Sequence, residues 1–337
     1  MTTNSKKPPF FIVGCPRSGT TLLQTLLDSH PNIAIPPESH LFARFSRVLG
    51  HYGNLRVASN LKVFVSDLLN DECIKPWGLD VSVQMFCERL QEYTVRGVIS
   101  HLFELFAERE GKKRWGDKTP QHGLFVKEIG RVFPEAKFIH VIRDGRDVAQ
   151  SLGKLWFGSK SIYGLAHQWK EYLQSFQDFK KSLNERDFVE LRYEDLVRRP
   201  QLEVERILKF LGESSLPVAT DVPNSKRKEF YINQAPHHRT LAQPISERKV
   251  GAFKKVFTQR EIEIFEAIAQ DMLKAYGYSL QGLGKTDITF GSRLLFLAQD
   301  NYLRFQGKLS NLSFLKQEIQ RRWRNVSRPM RKKAVCG

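Results

Sequence analysis

No stretch of this 337-residue chain supplies eighteen consecutive apolar residues, so it offers no candidate for a membrane-spanning helix. The first residues, MTTNSKKPPFFIVG, begin basic, but their apolar run breaks at Gly14, too early for the core of a signal peptide. Cysteine is scarce. Cys15, Cys73, Cys87 and Cys336 form no CxxC pair and hold no metal-ligand spacing with histidine. That count suits a reducing compartment, with two disulfides left open. The expectation is a soluble, cytoplasmic protein. Acid is also in short supply: 36 Asp and Glu face 53 Lys and Arg, a formal charge of +17. Between Arg304 and Lys333 ten basic residues face one acid, Glu318, so about half of the excess lies there. Such a charge points to a polyanionic ligand, an acidic substrate or an anionic surface. With 41% hydrophobic residues and 24 Phe the composition excludes a disordered chain. No internal repeat or low-complexity linker divides it.

The patterning is that of an α/β domain. Phe10–Val13 is a short apolar run between Pro9 and Gly14, as expected of a buried parallel strand. Leu22, Leu23, Leu26 and Leu27 then repeat at helical spacing until Ser29-His30-Pro31. Residues 33–35 form a second short strand candidate. Residues 40–110 read as helical and irregular, with the amphipathic VRGVISHLFELFAER (Val95–Arg109) the clearest helix. KRWGDKTPQH reads as a strand giving way to a loop at Asp117–Pro120. KFIHVI (Lys137–Ile142) and FVELR (Phe188–Arg192) are further strands, followed by helices over Val148–Leu155 and Leu202–Leu211, the latter capped by Gly212. Another amphipathic helix spans Gln259–Tyr276. Strands alternating with long helices predict a three-layer, P-loop-like domain with a central parallel sheet and a ligand at the carboxyl ends of its strands. The expected organisation is one domain over 1–283, with a helical insertion at about 40–110, and a basic helical extension over 284–337.

One further absence is chemical. Gly14-Cys-Pro-Arg-Ser-Gly19-Thr20-Thr21 has the glycine spacing of GxxxxGK[ST], but Thr20 stands where the lysine belongs. Successive backbone N–H groups and the start of the following helix still make an anion site. Arg17, Ser18, Thr20 and Thr21 add side-chain donors. Lysine and a threonine-bound magnesium serve the triply charged end of a nucleoside triphosphate, and no obvious strand ending in a second metal-binding aspartate follows. A phosphosulfate, whose terminal sulfuryl group carries a single charge, needs less neutralisation.

PRSGTTLLQTLLDSHP resembles the 5′-phosphosulfate loop of sulfotransferases that use 3′-phosphoadenosine 5′-phosphosulfate (PAPS). FIHVIRDGRDVAQS (Phe138–Ser151) resembles the same family's 3′-phosphate element, a strand-end arginine with a serine eight residues later. The resemblance implies that Arg17, Ser18, Gly19, Thr20 and Thr21 hold the 5′-phosphosulfate and that Arg143 and Ser151 hold the 3′-phosphate. It also places Tyr193 near the nucleotide and makes SERKVGAFKK (Ser246–Lys255) similar to a loop that closes over it. The matching stretches run from about Phe10 to Tyr278. DSHP, the PPES glutamate, the DKTP lysine and FPEAKFIHVIRDGRD together are most similar to protein-tyrosine sulfotransferases and their bacterial relatives. In that group a glutamate twenty-one residues after the loop arginine is the base, which falls on Glu38, and a lysine assisting the leaving phosphate falls on Lys118.

The implied reaction is in-line transfer of the sulfuryl group to a hydroxyl or amine, with Glu38 taking the acceptor's proton and Lys118 and Arg17 stabilising the leaving oxygen. No metal is expected. Plainer readings stand beside these roles. Glu38 can be a solvated loop acid, with His40 the rival base; Lys118 can be a surface lysine and Tyr193 a packed aromatic. Arg143 can form a structural ion pair with Asp144 or Asp147. His140 reads as core, and Arg146 and Asp147 as structural. The rival functions are a nucleotide kinase without its lysine and a non-enzymatic polyanion-binding protein. The acceptor, a small molecule, carbohydrate or peptide, is expected to meet residues 39–110 and the loops near Phe157 and His237. The basic tail around Trp323 brings no nucleic-acid-binding module, so nucleic acid is not an expected partner. A basic amphipathic helix over Leu309–Val326 is of the kind that rests on a membrane surface.

Overall fold

A computed structural model of the chain describes residues 7–155, 158–215 and 243–282, with isolated positions between 291 and 302. The loops expected near Phe157 and His237, the boundary at 283 and the basic helix over Leu309–Val326 lie outside the described residues. The chain divides into two compact units, Met1–Arg143 with Tyr172–Val250, and Asp144–Glu171 with Gly251–Gly337.

In the first unit β1 (Phe10–Val13), β2 (Ile33–Ala34), β3 (Arg114–Lys118), β4 (Lys137–Ile142) and β5 (Phe188–Arg192) form a parallel sheet in the order β2-β3-β1-β4-β5. The helices, in chain order, are α1 (Thr20–Asp28), α2 (Leu41–Phe45), α3 (Ala58–Leu69), α4 (Val83–Arg89), α5 (Val95–Arg109), α6 (Val126–Val132), α7 (Gly145–Leu152), α8 (Ile162–Lys180), α9 (Tyr193–Arg198), α10 (Pro200–Leu211) and α11 (Gln259–Ala275). The continuous apolar strands are explained by helices on both faces. Alternate residues of β1 divide between two cores. Phe11 and Val13 join Phe138, Trp115 and the apolar faces of α3, α5 and α6. Phe10 and Ile12 join Ile139, Val141 and the apolar faces of α1, α9 and α10. Burying each such Leu, Ile or Phe contributes roughly 1.5–3 kcal/mol. The result is the three-layer, P-loop-like architecture expected from the pattern.

α5 begins where Thr94 accepts a hydrogen bond from the Gly97 N–H, an N-cap, and α10 ends at Gly212, whose φ is 70°. β3 runs further than its residue types predict. It continues through Asp117 and Lys118, where a loop was expected, because each charged side chain in it has a hydrogen-bonding partner. α7 starts at Gly145, three residues ahead of the expected Val148, and stops at Leu152.

The second unit is held by a buried ion-pair network. Arg146 donates to both oxygens of Asp144 (2.9 and 2.7 Å) and to Glu266, lies over the Phe253 ring and reaches the Ser279 carbonyl at 3.0 Å. Asp147 accepts from the Gly251 and Phe253 N–H groups at 2.8 and 2.9 Å. Both residues are therefore structural, as expected. Among the described residues no helix is long and apolar enough to cross a membrane, and Cys73 and Cys87 are free thiols.

Candidate active site

Because the strands are parallel, Val13, Lys118, Ile142 and Arg192 all end at the same edge of the sheet. The loop that leaves β1 runs close to its neighbours. A Cβ at Gly14 would lie 2.4 Å from the Val141 carbonyl oxygen, and one at Gly19 (φ 96°) would lie 2.4 Å from the Tyr193 ring. Only glycine permits both approaches. The Ser18 N–H donates to the Cys15 carbonyl at 3.1 Å, closing the turn. α1 then begins with neither a side-chain cap nor an acid in its first turn, so the positive end of its dipole is left to the loop. Ser18 is fully buried, and its Oγ finds no hydrogen-bond partner within the protein. A donor of this kind, with Thr20 only 2% exposed beside it, fits a bound oxyanion.

α1 also positions the next segment. Gln24 Nε2 donates to the carbonyls of Ile35 (3.2 Å) and Pro36 (2.8 Å), while Asp28 Oδ1 accepts from the Ile35 N–H at 2.8 Å. The chain leaving β2 is thereby tied down just before Glu38. Adjacent residues of β3 serve two purposes. Lys118, with no exposed surface, extends its Nζ to Thr21 Oγ1 (3.2 Å) and to Glu38 Oε1. Asp117 is the centre of a separate buried network. Its Oδ1 accepts from Ser39 Oγ (2.7 Å) and Thr119 Oγ1 (3.2 Å), and its Oδ2 from His122 Nδ1 (2.7 Å). His122 Nε2 accepts from the Phe42 N–H at 3.1 Å, which fixes the ring as the neutral Nδ1–H tautomer. Thr119 Oγ1 also accepts from the Ser39 N–H at 3.0 Å. Glu38 is thus held between two pinned segments.

The electrostatics follow from this packing. Burial works against the Glu38 carboxylate, but the Lys118 charge, with His40 adding a hydrogen bond and charge, holds its pKa far below the usual range. His40 Nε2 lies 3.2 Å from Glu38 Oε2, and His40 Nδ1 lies 3.1 Å from Gln121 Oε1. Burial disfavours the imidazolium, yet the bond and charge of Glu38 outweigh it and raise the His40 pKa. Arg17 is pushed below its ordinary value by burial and then by Arg143, with Glu38 and Tyr193 acting in the other direction. It stays charged at any working pH. Arg17 (φ 76°) and His40 (φ 50°) are, among the described residues, the two non-glycines with positive φ. Backbone strain of this kind gathers at functional sites.

Arg143 ends β4 with its guanidinium 4.3 Å over the Tyr193 ring. Its Nη1 donates to the Arg17 carbonyl (3.2 Å) and its Nη2 to the Lys249 carbonyl (2.7 Å). These contacts link the loop, Tyr193 and the segment expected to cover a nucleotide. Arg17, Ser18, Gly19, Thr20, Thr21, Glu38, Lys118, Arg143 and Tyr193 all belong to the first unit, whereas Ser151 lies on α7 in the second. His140, fully buried, stacks on Phe176 at 4.1 Å and bonds Glu190 Oε1 at 3.1 Å, so it belongs to the core. Gln24, Ser39, Asp117, Thr119, Gln121 and His122 were not foreseen. The available signal was polar residues flanking a lysine at a strand end, in DKTPQH.

The model of the sulfotransferase family matches residues 8–217. The chain is 29% identical over 224 residues to protein-tyrosine sulfotransferase A of Caenorhabditis elegans, covering 62% of this chain and 50% of that protein. It is 25% identical over 295 residues to nodulation protein NoeE of Sinorhizobium fredii, covering 80% of this chain and 65% of that one. It therefore spans about half to two thirds of the length of these relatives. Among solved structures, the sulfotransferase domain from the Synechococcus PCC 7002 olefin synthase superposes with a TM-score of 0.56 at 20% identity, covering 83% of this chain and 98% of that domain. That likeness is one of fold. The family match spans most of the first unit's core, from the strand before the loop to the end of α10, and on that match this chain belongs to the sulfotransferase family.

Proposed function

We propose that the chain transfers the sulfuryl group of PAPS to a hydroxyl or amine of an acceptor, with Glu38 as the base. The observation that carries this reading is the fully buried Lys118, which bridges the loop threonine Thr21 and the carboxylate of Glu38. One cation thus touches both the anion-binding loop and the carboxylate of Glu38. The donor set fits a phosphosulfate: a glycine-rich turn, the orphaned Ser18 hydroxyl, and the guanidinium of Arg17 held near that of Arg143.

The roles follow from the charges. Arg17 and the N–H groups of the loop orient the 5′-phosphosulfate, and Arg143 holds the 3′-phosphate. While paired with Lys118, Glu38 is a poor base. Lys118 cannot serve two anions at full strength. As it turns toward the oxygen that bridges phosphate and sulfur, Glu38 loses its main counter-charge and gains basicity. Loss of charge on the carboxylate and gain of charge on the leaving oxygen are thereby timed together. The acceptor oxygen bonds to sulfur, the bridging S–O bond breaks, its electron pair stays with the phosphate, and Glu38 takes the proton.

The test begins with the product nucleotide, 3′-phosphoadenosine 5′-phosphate (PAP). Tight binding of PAP by the wild type and by Glu38→Gln, with PAPS turnover about 10²–10⁴-fold slower in Glu38→Gln, is the expected result. Absence of PAP binding together with magnesium-dependent ATP turnover would transfer the reading to a kinase. The acceptor class is proposed no further than a small molecule, carbohydrate or peptide.

A further inference from the structure

A base that has taken a proton must lose it before the next turnover, and each oxygen of Glu38, a carboxylate 24% exposed, has a close neighbour. Lys118 occupies its Oε1, and the lysine has no exposed surface. The other oxygen faces His40 Nε2 at 3.2 Å, and the His40 side chain is 31% exposed. The second ring nitrogen is held 3.1 Å from Gln121 Oε1. An amide oxygen can only accept, so Nδ1 carries the hydrogen and Nε2 of the neutral ring presents its lone pair to Glu38. The His40 backbone lies in the left-handed region, φ 50°, which is uncommon for residues other than glycine.

We infer that His40 is the outlet for the proton that Glu38 takes from the acceptor, with Gln121 as the positioning residue that holds the ring in its receptive tautomer. The inference rests on the reading of Glu38 as the base. The transfer balances simply. The proton leaves Glu38 Oε2 for His40 Nε2, the carboxylate is restored, and the imidazolium, stabilised by Glu38 and Gln121, releases a proton to water. The groups facing His40 are Glu38 and Gln121, with Asp117 acting at longer range and Lys118 across the carboxylate. Only neutral His40 can receive the proton. Charged His40 also gives Glu38 a second cationic neighbour and weakens it as a base. Turnover therefore rises with pH as His40 loses its proton.

The experiment follows PAP release from PAPS against pH, with water and with phenol as acceptors. Wild type should show an ascending limb above the ordinary histidine range. His40→Asn keeps a residue that tolerates positive φ. It should bind PAP as wild type does, turn over about tenfold or more slowly, and lose the limb. Gln121→Glu places a carboxylate on Nδ1 and should move the limb to higher pH, an effect that a purely structural role does not produce. His40→Asn with the wild-type rate and profile overturns the outlet. Unchanged turnover in Glu38→Gln overturns the base reading instead, and a lack of PAP binding overturns the sulfotransferase reading. Should neither acceptor give measurable PAP, NMR of the His40 ring in the PAP complex decides. Its titration midpoint should fall in Glu38→Gln and rise in Gln121→Glu, and a midpoint indifferent to both contradicts the inference.

Discussion

Two arginines, the half-buried Arg17 in the first unit and the buried Arg146 in the second, show opposite uses of the same side chain. Arg146 in the second unit has a bidentate carboxylate, a second acid, a carbonyl and an aromatic face, and its pKa is raised because these partners outweigh burial. Arg17 in the first unit sits in a left-handed turn near Arg143, and its pKa is lowered by burial and by that like charge. The first is a satisfied network; around the second, burial and the like charge of Arg143 outweigh Glu38 and Tyr193. Charges perturbed in this way gather at functional sites. Buried charge alone therefore does not mark a site; the balance of partners around it does.

The sharpest way to break the comparison is to remove each arginine in turn. Arg146→Met leaves Asp144 and Glu266 buried without their cation and should cost about 3–5 kcal/mol in chemical denaturation. Arg17→Met should cost less stability than Arg146→Met, while weakening PAP binding in a titration. Equal losses of stability in the two variants would erase the distinction. Next in size is Lys118→Met, which removes the bridge between Thr21 and Glu38. PAPS turnover should fall about 10²–10³-fold, as for loss of one donor to a developing oxyanion. Ser18→Ala sharpens the comparison on a smaller scale. Its Oγ has no partner within the protein, so melting should be unaffected or slightly improved, whereas PAP affinity should drop by about 1.5–3 kcal/mol for a bond to a charged group.

The smallest effect is on stability against pH. His40 has a raised pKa in the folded state, so its contribution is fully present below the unfolded value of about 6.5 and is lost as pH rises through the folded value. Thermal melting of wild type and His40→Asn should differ most at acid pH and converge as the buffer becomes alkaline. Convergence in the other direction contradicts the assigned pairing with Glu38.

The sheet was legible because its strands are buried on both faces. KFIHVI and FVELR read as strands at the residues where β4 and β5 lie, and Val95–Arg109 was recognised from its helical period. β3 was harder. Its RWGDK carries turn and charged residues, and only tertiary partners, Glu213 for Arg114 and His122 with Ser39 for Asp117, make them compatible with a buried strand. The loop was readable for the same reason that it binds anions: glycine spacing and donor side chains are local. Lys118 and Glu38 stand eighty positions apart, and their contact depends on the β3–β1 pairing and on Gln24, a helix glutamine with no local signature. The His40–Gln121 contact, eighty-one positions apart, is of the same kind.

The most direct measurement is a calorimetric titration of the wild type and Arg17→Met with PAP and with adenosine 5′-monophosphate, which lacks the 3′-phosphate. The site described here predicts that wild type binds PAP far more tightly than the monophosphate and that Arg17→Met weakens both while leaving the preference in place. Equal affinities for the two nucleotides, or PAP binding indifferent to Arg17, would contradict a phosphosulfate site at this loop.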